Sequence, residues 1–238
     1  MKNIRRQHLA VLISIACVLS LAVMVVAGQQ AAPKQAAETI NFDSATLGSL
    51  PSGWSTAMTH QGGAPKWEAL KCDTAPSKPN VLAQTSDDPT GGRFPLAIYD
   101  RVSFKDGEIS VRFLPVSGQG DQAAGMVWRY RDANNYYIVR ANALENNVVL
   151  YKVENGRRSS LAPKGTPSNT YGVKHPVPSG KWGTLAVRFQ GNLFTVFFDG
   201  KELFQVEDNT FPEAGKTGLW TKADSVTYFD DFTLKSLP

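Results

Sequence analysis

Cysteine and histidine are scarce in this chain, and each shortage excludes something. Of the two cysteines, Cys17 lies in an N-terminal apolar run, which leaves Cys72 alone in the body. A single cysteine cannot staple a fold, so stability has to come from core burial. Cys72 itself reads as a small buried hydrophobe ending a strand from Trp67 to Cys72. There is no CxxC pair, no zinc-ligand spacing and no Asn-x-Ser/Thr acceptor. No G-x-S-x-G elbow is present either, and of the three histidines His60 and His175 have no nucleophile beside them, so both read as loop residues. Charge of one sign is lacking too. The formal net charge is +4, but without Lys2, Arg5 and Arg6 the chain has 22 basic against 21 acidic residues. That balance argues against nucleic acid or an anionic lipid surface as partner.

Present at the N-terminus is a targeting pattern. Lys2, Arg5 and Arg6 precede an apolar run from Leu9 to Val26, and Val25-Val26-Ala27 offers the small residues a signal peptidase accepts. Residues 1–30 are thus expected to be a signal peptide. The run also approaches the roughly 20 residues that span a bilayer, so an uncleaved anchor over residues 9–27 is the alternative. The expected location is periplasmic or extracellular in the first case and the inner membrane in the second, with no other membrane contact. Residues 31–38 (AAPKQAAE) read as a solvated linker and 39–238 as one domain, a monomer large enough for a substantial core.

The body is written in short strands and turns. Met126 to Tyr130, Tyr136 to Asn142 and Asn147 to Glu154 follow one another across polar turns, the last ending at Asn155-Gly156. Asn-Gly between strand-like runs signals a hairpin, because both residues tolerate the positive φ of a type I′ turn. Ile109, Val111 and Phe113 alternate with Glu108, Ser110 and Arg112, as a half-buried strand requires. Leu185 to Phe189, Leu193 to Phe198 and Glu202 to Val206 form a meander through Gly191-Asn192 and Asp199-Gly200. Lys216 to Lys222 and Val226 to Leu234 close the chain. Thr39 to Phe42, Trp67 to Cys72, Val81 to Gln84 and Pro95 to Tyr99 are shorter candidates. About twelve strands and no amphipathic helix predict an all-β jelly-roll sandwich of two curved antiparallel sheets. The longest stretch without strand character, residues 163–179, is of the length that is often functional or mobile.

Phe42-Asp43, Gly48-Ser49-Leu50-Pro51 and Gly53-Trp54 resemble the opening of domains in the concanavalin A-like lectin/glucanase superfamily. Tyr136-Tyr137-x-Val139-Arg140-Ala141-Asn142, Gly180-Lys181-Trp182, Gly218 to Asp224 and Tyr228-Phe229-Asp230-Asp231-Phe232 extend the resemblance over nearly all of Ile40 to Leu237. Within the superfamily it is most similar to secreted bacterial laminin-G-like and 3-keto-disaccharide-hydrolase-type domains. The resemblance implies the sandwich and admits both binding and enzymatic functions. The Glu-x-Asp-x-Glu strand of family-16 glycosidases, which sets its carboxylates on one face to flank a glycosidic bond, is missing. The nearest strand offers only Glu108 followed by Ser110 and Arg112.

Strand alternation places Tyr137, Val139 and Ala141 on a core face and Arg140 and Asn142 on the opposite one. It likewise sets Arg129 opposite Met126, Trp128 and Tyr130, and Trp220 with Lys222 opposite Leu219. If these outward faces share one concave sheet, Arg129, Arg140, Asn142, Trp220 and Lys222 converge, with Glu145 and Asp224 from adjoining turns. An exposed ring beside fixed hydrogen-bonding groups suits a carbohydrate or glycoconjugate. The competing reading makes the charges solvated surface residues and Trp220 a core residue. No cofactor is expected, apart from a structural Ca²⁺ held by Asp43 and Asp231 if first and last strands adjoin. The function expected is an exported, non-catalytic carbohydrate-binding or interaction domain. A hydrolase or lyase of 3-keto-glycosides, with Glu145, Asp224, His175 or Glu108 as base, is the alternative, and a structural envelope protein the third reading.

Overall fold

A computed structural model describes residues 37–238; the signal, the anchor and most of the linker lie outside the described residues. In chain order the strands are β1 Glu38–Ile40, β2 Trp54–Thr59, β3 Trp67–Lys71, β4 Asn80–Gln84, β5 Phe94–Phe104 and β6 Gly107–Ser117. There follow β7 Ala123–Asp132, β8 Asn135–Asn142, β9 Asn147–Glu154, β10 Arg157–Leu161 and β11 Val173–Lys174. The chain ends with β12 Gly183–Gln190, β13 Leu193–Phe198, β14 Lys201–Glu207, β15 Gly215–Trp220 and β16 Val226–Ser236. Two antiparallel sheets of eight strands each form a sandwich. The first runs β14-β13-β12-β6-β16-β4-β3 with β1 beside β16, the second β10-β9-β8-β7-β15-β5-β2 with β11 beside β9.

The turn chemistry does what its residues predict. Asn155 (φ 50°) and Gly156 (φ 80°) both sit in the left-handed region between β9 and β10, as do Asp199 (φ 47°) and Gly200 (φ 76°) between β13 and β14. Three strands exceed the sequence reading. β2 holds its Trp-Ser-Thr-Ala-Met-Thr run only as an edge partner of β5, and β10 and β11 are polar strands that exist because β9 offers them its free edge. β11 lies inside the stretch 163–179. Cys72 is free and half-buried just past the end of β3, within 3.4 Å of the Thr74 hydroxyl.

The core between the sheets is aromatic. Trp128 stacks on Tyr137 at 5.5 Å and on Phe189 at 5.8 Å, with Phe194 edge-on at 5.4 Å. Tyr137, Val139 and Ala141 all face this core, as alternation requires.

The second sheet has a further cluster on its other face. Phe94, Leu96, Val127, Tyr136, Ile138, Tyr151, Val153 and Trp220 fill the hollow of its curl, and each is at most 4% exposed. Opposite edges of the sheet meet across this hollow. His60, just beyond β2, places Nδ1 2.7 Å from the Gly92 carbonyl oxygen and Nε2 2.8 Å from that of Gly156 in the β9–β10 turn. A sheet curled this far covers its own concave face. Two expectations fail as a result. Trp220 is fully buried and packs on Phe94 at 5.2 Å, so it is a core residue and no exposed stacking ring. Arg129 leaves the concave face altogether. It sits in a bulge at φ 47°, which resets the alternation of β7, and its guanidinium lies over Phe189 and Phe194 at the end of the inter-sheet core. There it donates to the carbonyls of Lys105, Phe211 and Gly191.

The calcium expectation also meets a different geometry. Ser77 Oγ donates to Asp231 Oδ1 at 2.6 Å, while the Asn80 backbone N–H donates to Asp43 Oδ1 at 3.2 Å. Among the described residues no group of three or more His, Cys, Asp or Glu side chains is arranged to hold a metal ion. These carboxylates are turned toward donors at Ser77 and at the start of β4 and do not fit a calcium cage.

Candidate functional site

Five of the sequence-predicted residues do come together, at the end of the second sheet where β8 turns into β9. Arg140 and Asn142 stand on β8, Glu145 on the turn, and Lys222 and Asp224 just after β15. Arg140 is fully buried, and Glu145 meets it in a two-pronged ion pair, Nη1 to Oε1 and Nη2 to Oε2 each at 2.9 Å. Asn147 accepts from Arg140 Nη2 at 2.8 Å and donates to Glu145 Oε2 at 2.9 Å. Asn142 donates to Glu145 Oε1 at 3.2 Å and to Asp121 Oδ1 at 2.7 Å. Asp121, 3% exposed, also holds the Lys222 ammonium at 2.5 Å.

Asp224 works one step behind this network. Its carboxylate accepts the backbone N–H groups of Gln119, Gly120 and Asp121 and so fixes the loop that carries Asp121. Burial pushes its carboxyl up, yet these three N–H groups outweigh it and hold the group below the usual carboxylate range. It is a positioning residue and does not face solvent.

Electrostatics make Glu145 a permanent anion. The Arg140 hydrogen bonds, helped by Asn147 and by the Lys222 charge and opposed by partial burial, hold its carboxyl at about 2. The network reaches solvent mainly through Glu145, 37% exposed, and Lys222, 20% exposed. Tyr171, 47% exposed, stands beside it, its hydroxyl bonded to that of Tyr151, whose ring lies under the Arg140 guanidinium. Lys222 also lines an open cleft of about 810 Å³, whose walls include His60, Phe94, Asn134, Arg157 and Arg158. The site thus offers a fixed acceptor, a fixed ammonium and an exposed phenol ring, and the ammonium is shared with a polar cleft.

The sequence does not mark Asp121, Asn147, Tyr171 or Arg158 as site residues. The stretch 163–179 signalled Tyr171 by its length alone. Asp121 lies in a Gly-Gln-Gly-Asp loop between two long strands, and Arg158 follows an Asn-Gly turn, but neither feature names a partner. Of the four candidate bases, Glu145 alone belongs to the network's exposed rim. Glu108 is ion-paired with Arg188 on the other sheet, His175 packs on the Phe198 ring at 4.4 Å, and Asp224 is spent on backbone.

Comparison with known proteins agrees with this architecture. The structure is similar to a carbohydrate-binding module, CBM66, from Bacillus subtilis (TM-score 0.59, 24% identity, 77% of this chain and 96% of that one). It is also similar to a cellulose-induced protein (TM-score 0.56, 14% identity, 84% and 97%). A third likeness is to the lumenal domain of VIP36 in a calcium- and mannose-bound form (TM-score 0.51, 14% identity, 84% and 89%). At such identities the likeness is one of fold. In sequence, 122 residues are 28% identical to a levanase of Bacillus subtilis (strain 168), a match over 50% of this chain and only 16% of that enzyme. Residues 42–235 match throughout a single family, and the chain belongs to it: the 3-keto-alpha-glucoside-1,2-lyase-like domains.

Proposed function

We propose that this chain is an exported, lectin-like domain that binds carbohydrate at the rim of the curled second sheet, with Glu145, Lys222 and Tyr171 as the contacting groups. The observation that carries this reading is the Arg140–Glu145–Asn147–Asn142–Asp121–Lys222 network. Its buried members are paired and rigid, and the two groups it presents to solvent are one strong acceptor and one strong donor at fixed positions. A sugar hydroxyl both donates and accepts, so it pairs with such a rim, while a phenol ring covers the apolar CH face. The fold's likeness to a carbohydrate-binding module and to a mannose-bound lumenal domain supports the reading. Affinity electrophoresis of the purified protein against a panel of polysaccharides tests it, with Glu145→Gln and Tyr171→Ala as variants. Retardation that both variants lose is expected. No retardation on any polysaccharide sinks the reading.

The family's description favours a second reading, a lyase acting on 3-keto-glycosides. Elimination across C1 and C2 removes the C2 proton, acidified by the neighbouring ketone, and expels the glycosidic oxygen with the C1–O electron pair. The step needs a proton acceptor matched to the working pH. Glu145, held at about 2, is a weak one, and both His60 ring nitrogens face carbonyl oxygens. Release of an aglycone from 3-keto-glycosides, lost in Glu145→Gln, would favour this reading over the first.

A further inference from the structure

The network's charges are matched one to one: Arg140 with Glu145, and Lys222 with Asp121. The adjoining cleft is not balanced in this way. Arg157 and Arg158 line it beside the already paired Lys222, and no carboxylate is among its lining residues. Arg158 is the cation this wall holds most firmly. It projects from edge strand β10 across the hollow, and its guanidinium carbon lies 4.5 Å from the Tyr151 ring centroid, 4.7 Å from Phe94 and 5.8 Å from Trp220. Three aromatic faces fix the guanidinium in place without neutralising it, because a ring quadrupole carries no net charge. Its Nη1 is sealed against these rings with no acceptor among the described residues, the residue enters no ion pair there, and only the remaining edge of this half-buried side chain is open to the cleft it lines. A charged donor left without an acceptor is costly, and an anion is the partner that relieves it most.

We propose that the cleft accepts a saccharide carrying an anionic group, a uronate carboxylate or a sulfate ester, and that Arg158 selects for that charge. The proposal rests on the sugar-binding reading above and sharpens it. A neutral sugar ring satisfies the Glu145–Lys222 rim but leaves the cationic wall facing water. A sugar with an anionic substituent meets both surfaces, with the planar guanidinium offering paired donors to carboxylate or sulfate oxygens. Bulk charge does not explain the preference, since the described body is close to electroneutral; it is a property of this wall.

The test uses matched pairs in titration calorimetry with the purified protein: oligogalacturonate against its methyl ester, and a sulfated galactan oligosaccharide against its desulfated form. The acidic member of at least one pair is expected to bind about tenfold or more tightly at low ionic strength, with the gap narrowing as salt screens the pair. Which pair shows the gap tells carboxylate from sulfate. Arg158→Gln is expected to erase the gap and Arg158→Lys to restore part of it, whereas Arg157→Gln, at an exposed position, leaves most of it. Equal or better binding of both neutral members overturns this inference while the sugar-binding reading stands. No binding of any member overturns this inference, while the sugar-binding reading falls only if the polysaccharide panel also shows no retardation. A gap that survives Arg158→Gln overturns the assignment of Arg158.

Discussion

Among the shifted carboxyls of the described residues, Asp230 is the one whose ionisation works against the fold. It is fully buried on β16, and burial, followed by the nearby Asp231 and Asp43 carboxylates, pushes its carboxyl up to about 7 against the pull of the Ser77 and Asp231 backbone N–H groups. A carboxyl raised in the folded state contributes stability that is complete below its unfolded value near 4 and is lost as pH rises through 7. The other shifted Asp and Glu carboxyls of the described residues, Glu145 and Asp224 among them, are lowered, so their contributions are already complete above about pH 5. The melting temperature is therefore expected to fall between pH 5 and 8, and Asp230→Asn to flatten that slope. A wild-type profile level across this window would show that Asp230 stays ionised. Trp220 makes the opposite kind of residue-scale prediction. As a sealed core side chain, Trp220→Ala is expected to cost about 3–5 kcal/mol in chemical denaturation, far more than an exposed platform residue would.

At the scale of elements, the two strands that frame the concave core approach without room to spare. A Cβ on Gly218 of β15 would lie 2.2 Å from the Ala97 carbonyl oxygen of β5, and one on Gly125 of β7 would lie 2.8 Å from that of Val139. Backbone cannot yield as a side-chain tip can, so Gly218→Ala is expected to destabilise by at least about 1–3 kcal/mol, in the range of overpacked cores. The loop that carries Asp121 depends in turn on Asp224. Asp224→Ala leaves three backbone N–H groups without their acceptor, and is expected to lower sugar affinity as well as stability, because Asp121 then loses its place beneath Lys222. Much of this was legible in the sequence, and for identifiable reasons. Asn155-Gly156 and Asp199-Gly200 dictate their turns, and period-2 alternation separates Tyr137, Val139 and Ala141 from Arg140 and Asn142. Alternation says only that two faces differ, however. It does not say that the face opposite the inter-sheet core is itself covered, which is why Trp220 read as exposed. Nor does it survive a bulge, and one residue at positive φ was enough to send Arg129 to the far end of the sandwich.

For the whole molecule, the consequence is a sheet with a core on each side. β7, β8 and β15 contribute to both: Trp128, Tyr137 and Leu219 to the core between the sheets, and Val127, Ile138 and Trp220 to the one in the curl. Each strand therefore links the two clusters through its own backbone, and neither can loosen while the other stays packed unless the strand itself bends. Cys72 is free among the described residues, so burial and hydrogen bonding must hold both cores together. The His60 bridge between the β2 end and the β9–β10 turn adds a contact that exists only while the sheet is curled. Unfolding is thus expected to be a single transition. In urea, the indole fluorescence of a variant keeping Trp128 as its reporter, and likewise of one keeping Trp220, should share its midpoint with that same variant's loss of β-structure by circular dichroism. Should the Trp220 signal move first, the curl is a separately melting unit, and the ligand cleft it frames opens and closes independently of the sandwich.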